Sequence, residues 1–158
     1  VKELTHSERA YWEHYLSTRP ENLPLKPFVE AGHAGNRATT DNLLQLYLSG
    51  KKTAGSSLLE DFTSAGDPIP QVDRHWILLD SKDSPRCILR TERVVSHRFR
   101  NVPLEIAAAE GEGDLSLEYW KRTHAGFFAP YLKDWGVADI EDATVITEFF
   151  ELVYQGEF

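Results

Sequence analysis

Two short stretches of this sequence hold residue types at spacings that suit acid–base chemistry. The first is Gly50-Lys51-Lys52-Thr53 followed by Gly55-Ser56-Ser57. It offers a cation beside small side chains, exposed amides and hydroxyls, which is what a phosphate or a carbonyl group needs nearby. It is not a P-loop, because the glycine precedes the lysines and the Gly-x-x-x-x-Gly-Lys-Ser/Thr spacing is absent. A helix ended by Gly50, with lysines favouring its C-terminus, explains the same residues without a ligand. The second stretch is Ala109-Glu110-Gly111-Glu112-Gly113-Asp114. Acids at alternating positions suit a solvated loop, yet glycines beside carboxylates also let backbone approach a ligand closely. A carboxylate of this stretch, held near Lys52, could serve as general base, with the lysine keeping it ionised until substrate arrives. A hard-cation site is the weaker option, since the ligand pattern of a calcium hand is missing.

Two further features carry polar chemistry. Trp120 and His124 are four residues apart and share one helix face. The histidine is read either as catalytic or metal-ligating, or as a buried, hydrogen-bonded structural group; no second histidine sits at ligand spacing. Five arginines (86, 90, 93, 98 and 100) fall within fifteen residues that hold one acid, Glu92. On a strand Arg86 and Arg90 face one side and Arg93 the other, so they do not form one stripe. Most of them are expected to pair with surplus acids, and Arg90 is kept as a ligand candidate.

These residues need elements to position them. Thr5 and Glu8 form a capping box ahead of Tyr11, Trp12, Tyr15 and Leu16, which recur at helical spacing until Pro20. A proline-rich connector covers 20–27, and a short strand is expected over 28–30. A second helix begins at Thr40 or Asp41, buries Leu43, Leu44, Tyr47 and Leu48, and stops at Gly50. The hydroxyl-rich segment after it leads to a brief helical turn over 58–62 and a proline loop over 66–70. Residues 75–79 and 87–95 read as a hairpin around Ser81-Lys82-Asp83-Ser84-Pro85. Helices are expected over 102–109, with Pro103 near the start, and over 116–128, and a last strand over 144–154. The mixed order predicts an α+β fold with a mainly antiparallel sheet.

With 158 residues and 18.0 kDa the chain suits one domain. Folding a chain of this size hides roughly 70% of its surface, so a core forms without metal or disulfide staples. The composition, 41% hydrophobic and 27% charged, is that of a globular protein. A lone cysteine, Cys87, excludes an internal disulfide and multi-cysteine metal sites and points to a reducing compartment. No stretch approaches the roughly 20 apolar residues of a membrane helix, and residues 1–16 lack the apolar core of a signal peptide, so a cytoplasmic protein without membrane contact is expected. The net charge of −8, from 25 acids and 17 bases, excludes a long clamp for duplex DNA while leaving room for a local anion site.

Leu48-Ser49-Gly50-Lys51-Lys52-Thr53, the strand-turn-strand, and Ala109-Glu110-Gly111-Glu112-Gly113-Asp114 together resemble the ASCH domain family, a branch of the PUA-like superfamily. Trp120, His124, Phe127, Phe128 and Glu148-Phe149-Phe150-Glu151 are similar to its larger bacterial members. The resemblance spans roughly Phe28 to Tyr154, which divides the chain into an N-terminal helix and connector (1–27) and an ASCH domain (28–158). It implies a small β-barrel, mainly antiparallel, with surrounding helices and a cleft lined by the lysine motif. It also implies binding of single-stranded RNA or of a nucleotide or nucleoside. Larger relatives are ribonucleases on single-stranded RNA; smaller ones are amidohydrolases that deacylate N4-acetylcytidine with a lysine, a threonine three residues later, and a glutamate. Lys52 and Glu112 fall on the lysine and glutamate, whereas the threonine position is Gly55, which carries no nucleophile.

Three functions are therefore weighed. In a ribonuclease, Lys52 stabilises phosphate charge and Glu112 activates a 2′-hydroxyl or water, while Thr53, Ser56, Ser57, Glu110 and Arg90 hold the substrate and Tyr47 or Trp120 stacks a base. The other two are the amidohydrolase on a modified nucleoside and a binding module without chemistry. No cofactor is expected, although a divalent ion could assist, and the oligomeric state is not legible.

Overall fold

Thr5 opens the first element with reciprocal bonds: its hydroxyl accepts the Glu8 amide at 3.3 Å, and the Glu8 carboxylate accepts the Thr5 amide at 2.9 Å. The resulting helix is α1 (His6–Ser17). The computed structural model describes residues 2–18, 23 and 27–156. Apart from Leu23 and Pro27, the connector expected over 20–27 lies outside the described residues. The elements that follow are β1 (Val29–Gly32), α2 (Thr40–Leu48), β2 (Ala54–Leu58), α3 (Leu59–Ala65), β3 (His75–Leu79), β4 (Pro85–Arg98), α4 (Leu104–Glu110), α5 (Leu117–Phe128) and β5 (Thr144–Gln155). None of the described helices is long and apolar enough to cross a membrane.

The strand order is β1-β3-β4-β5-β2. β1 runs parallel to β3 with Val29 opposite His75, β3 is antiparallel to β4 with Ile77 opposite Ile88, and β2 is antiparallel to β5 with Ser56 opposite Thr147. The expected barrel is thus corrected to an open, mixed sheet in an α+β fold, with β1 and β2 at its two ends. The parallel pair is possible because α2, β2 and α3 intervene between β1 and β3, a connection long enough for a crossover. β2 is a strand of unpromising composition. Its sequence, Ala-Gly-Ser-Ser-Leu, has little intrinsic strand preference, and pairing with β5 supplies what composition does not.

The described chain packs as two compact units. The first draws on residues within 1–50, 72–92 and 150–158. Alternation along β3 splits its core: Leu78 meets Leu44, Tyr47, Cys87, Leu89 and Phe150, whereas Ile77 and Leu79 meet Tyr11, Trp12, Tyr15 and Ile88. One face of β3 is covered from α2 and the other from α1, so α1 is a core element of this unit. Thr39 occupies the N-cap of α2 in place of the expected Thr40 or Asp41; its hydroxyl does not cap the helix but bonds back to Asn36. The Thr40 hydroxyl donates instead to the Ala34 carbonyl at 2.8 Å, and Asp41 accepts the Ser81 amide and hydroxyl. The second unit draws on residues 51–71 and 93–149, with Leu58, Phe99, Ile106, Trp120, Phe128 and Val145 in its core.

Candidate functional site

The second unit gathers the lysine motif and the acidic loop. After Gly50, in the left-handed conformation at φ 80°, the chain turns toward β2. The Thr53 amide donates to the Ala109 carbonyl at 2.7 Å, as does the Thr53 hydroxyl at 3.2 Å. These bonds fix residues 51–53 against the C-terminal end of α4, whose last carbonyls have no helical partner. Glu110 is the final residue of α4, and Gly111 ends the helix at φ 68°. A Cβ at Gly111 would lie 2.0 Å from the Lys51 carbonyl oxygen, so only glycine lets the acidic loop approach the lysine backbone this closely.

Lys52 enters that corner and is only 5% exposed. Its ammonium donates to the Glu110 carboxylate at 3.1 Å, to the Glu112 carboxylate at 2.9 Å and to the Glu110 carbonyl at 3.4 Å. The carbonyl contact places a cation at a helix C-terminus, where the dipole favours it. The two carboxylates differ in surroundings: Glu110 is 2% exposed and Glu112 23%. Glu110 is a hub. One oxygen faces Lys52 and the His124 Nε2 at 3.3 Å, and the other accepts from the Ser56 hydroxyl at 2.7 Å and the Trp120 indole N–H. Burial works to raise its carboxyl, but the His124 hydrogen bond, the Lys52 charge and the Trp120 donor outweigh it, leaving it at about 2. Glu110 is therefore an ionised anchor and a poor proton acceptor.

Ser56 and Thr147 meet through the register of β2 and β5, with their hydroxyls 2.7 Å apart. Since the Ser56 proton goes to Glu110, Thr147 donates to Ser56. Helix α5 begins at Ser116, whose hydroxyl accepts the Tyr119 amide, and it delivers Trp120 and His124 one turn apart. The imidazole stacks on the indole at 4.0 Å between centroids. No group of three or more metal-ligating side chains occurs among the described residues.

Of the sequence candidates, the structure brings together Lys52, Thr53, Ser56, Glu110, Glu112 and Trp120. Trp120 is buried and donates to Glu110 rather than presenting a ring for stacking. Ser57 alternates to the opposite face of β2 from Ser56. Tyr47 and Arg90 belong to the first unit. Tyr47 is a core residue against Trp76 and Phe150, and Arg90 pairs with Asp73 and Glu151 at 2.7 Å each. Thr147 was missed: nothing in its own sequence context marks it, and only the β2–β5 register reveals it. His124 was visible through its spacing from Trp120, although its carboxylate partner was not.

A family model described as ASCH domain matches residues 30–154. No curated protein matches the chain. Among solved structures, an ASCH domain from Lactobacillus crispatus JV V101 is similar at 27% identity and TM-score 0.89, with 98% of each chain covered. A protein from Enterococcus faecalis V583 is similar at 29% identity and TM-score 0.79, covering 93% of this chain and 88% of its own.

Proposed function

The chain belongs to the ASCH domain family, and we propose that it binds single-stranded RNA and cleaves it at the Lys52–Glu112 pair. The observation that carries this reading is the unequal treatment of two carboxylates on one ammonium. Glu110 is buried and saturated with donors, while Glu112 is half-buried, 2.9 Å from Lys52, and its described contact is that one ion pair. A phosphodiester that takes the place of Glu112 on Lys52 frees a carboxylate beside the reacting phosphate. Glu112 then removes the 2′-hydroxyl proton, the 2′-oxygen bonds to phosphorus, and the bond to the 5′-oxygen breaks, with that oxygen taking a proton from solvent. Lys52 offsets the charge that builds on the phosphoryl oxygens. The reaction needs a short groove on an unpaired strand, which a net charge of −8 permits.

A second reading has its own observation. Gly55 lacks the hydroxyl that the amidohydrolase relatives use, yet the Ser56 hydroxyl next to it lies inside the cluster, 2.7 Å from Glu110. Deacylation of an N4-acylated cytidine is the chemistry that hydroxyl would serve.

The test runs labelled single-stranded RNA and N4-acetylcytidine side by side, with and without a chelator, on wild type, Glu112→Gln and Lys52→Ala. The proposal expects RNA cleavage that survives chelation and is lost in both variants, with Glu112→Gln, isosteric and half-buried, retaining the wild-type circular dichroism. Acetate release in place of RNA cleavage moves the assignment to the amidohydrolase. RNA binding without turnover of either compound makes the chain a binding module.

A further inference from the structure

The His124 ring faces an oxygen acceptor at each nitrogen. Nδ1 lies 2.8 Å from the Trp120 carbonyl oxygen, and Nε2 lies 3.3 Å from a Glu110 carboxylate oxygen. A carbonyl oxygen only accepts, so Nδ1 carries a proton. The Glu110 carboxylate also only accepts, so Nε2 would turn a lone pair toward an anion unless it too carries one. Imidazolium is the form in which both contacts are bonds. The indole face of Trp120, stacked within 17° of the imidazole plane, favours a cation as well. The charges around the cluster then alternate: His124 positive, Glu110 negative, Lys52 positive, Glu112 negative.

We propose that His124 is a positioning residue of this site: as an imidazolium donating from both ring nitrogens, it holds Glu110 on Lys52 so that Glu112 is the carboxylate that changes partners when substrate arrives. Without His124, the Glu110 oxygen facing Lys52 loses its second donor and is drawn further onto the ammonium. Lys52 then shifts toward the helix α4 terminus and away from the position of Glu112. The effect on the reaction travels through Lys52, and His124 itself touches no reacting atom.

This inference rests on the Lys52–Glu112 reading for its kinetic arm, while its spectroscopic arm does not. In the spectroscopic arm, ¹⁵N spectra of the histidine rings are recorded at neutral pH, with His124 assigned among the six histidines by its loss in His124→Gln. Both His124 nitrogens are expected to be protonated in wild type and in Glu112→Gln, and Nε2 is expected to lose its proton in Glu110→Gln. A single-proton imidazole in folded wild type overturns the proposal, and that outcome is readable even if Glu110→Gln does not fold. In the kinetic arm, His124→Gln is expected to lower kcat on labelled single-stranded RNA about 10²-fold with KM within about twofold. An unchanged kcat in folded His124→Gln overturns the positioning role. Wild type that cuts no RNA defeats the cleavage reading, and the ring-nitrogen spectra still decide the state of His124.

Discussion

Each unit packs a histidine against a tryptophan, and the two histidines are handled in opposite ways. In the second unit, His124 lies flat on Trp120 and meets an acceptor at both nitrogens. In the first, His75 on β3 is 1% exposed and meets Trp12 edge-on at 5.2 Å and Tyr15 at 6.0 Å. Among the described residues neither of its ring nitrogens makes a hydrogen bond of good geometry, and the backbone of Phe28 and Asp73 acts on the ring only weakly against burial. Burial, its largest influence, pushes the His75 ring below the ordinary histidine value of 6.5. A buried histidine without acceptors is a neutral packing group, whereas one wedged between acceptors is part of an electrostatic network. The same residue type in the same kind of aromatic surrounding thus takes its role from the oxygens it meets.

The largest effect expected from this contrast comes from cutting the network at its centre. Lys52→Met removes the cation between Glu110 and Glu112 and leaves a carboxylate buried short of one donor. A loss of about 3–5 kcal/mol is expected in urea denaturation, because half of a buried ion pair remains uncompensated. His75→Leu, which removes no hydrogen bond of good geometry among the described residues, should change stability at neutral pH by about 1 kcal/mol or less. Comparable losses in the two variants would mean that His75 has a partner of its own, and the contrast would collapse. Gly111→Ala should follow closely behind Lys52→Met. The new Cβ meets a backbone oxygen that cannot rotate away, in a left-handed conformation, so about 3 kcal/mol of destabilisation is expected.

Acid titration separates the two units by pH. The Glu110 carboxyl is lowered from 4.5 to about 2 in the folded chain. The stabilisation is fully present above 4.5 and disappears as pH falls through about 2, a contribution of about 3 kcal/mol. His75 is neutral when folded and takes a proton when unfolded, so its contribution is lost as pH falls below 6.5. As pH is lowered through that value, the urea midpoint of wild type should fall relative to that of His75→Leu. The difference between the two is the His75 contribution, since groups such as His124 are common to both. A wild-type slope that persists in His75→Leu would assign the drop to another group.

The sequence carried some of this and not the rest, for physical reasons. The capping box, the hairpin, α5 and the C-terminal strand follow from local patterns, and the structure has them where those patterns put them. Lys52 and Glu112 stood out because glycines and charges concentrate around them. The burial of Glu110 depends on four donors that reach it from three other segments, and no window of sequence contains that information. The strand identity of β2 and the role of Thr147 arise from one pairing register. The orphaned nitrogens of His75 are equally invisible, since His75 in isolation looks like the polar start of a strand.

The smallest expected effect concerns Arg90, the candidate that charge density alone brought forward. Its guanidinium spans Asp73 and Glu151 at 2.7 Å each, with Glu92 at 3.9 Å, so the acids around it already exceed its own charge. A phosphate arriving there would have to displace a carboxylate and would still face the remaining ones. Lys52 also has two carboxylates, but it is nearly sealed from water, where exchange of one partner for another is an electrostatically large event; Arg90 is more open, and solvent and salt screen each pair. Arg90→Ala should therefore lower stability by about 1 kcal/mol or less and leave the affinity for labelled single-stranded RNA within about twofold. Measuring both at low and moderate salt tests the argument where surface charges act most strongly. A tenfold loss of RNA affinity at low salt would make the first unit an anion-binding surface despite its acids, and the proposal that places substrate on the second unit alone would have to be redrawn.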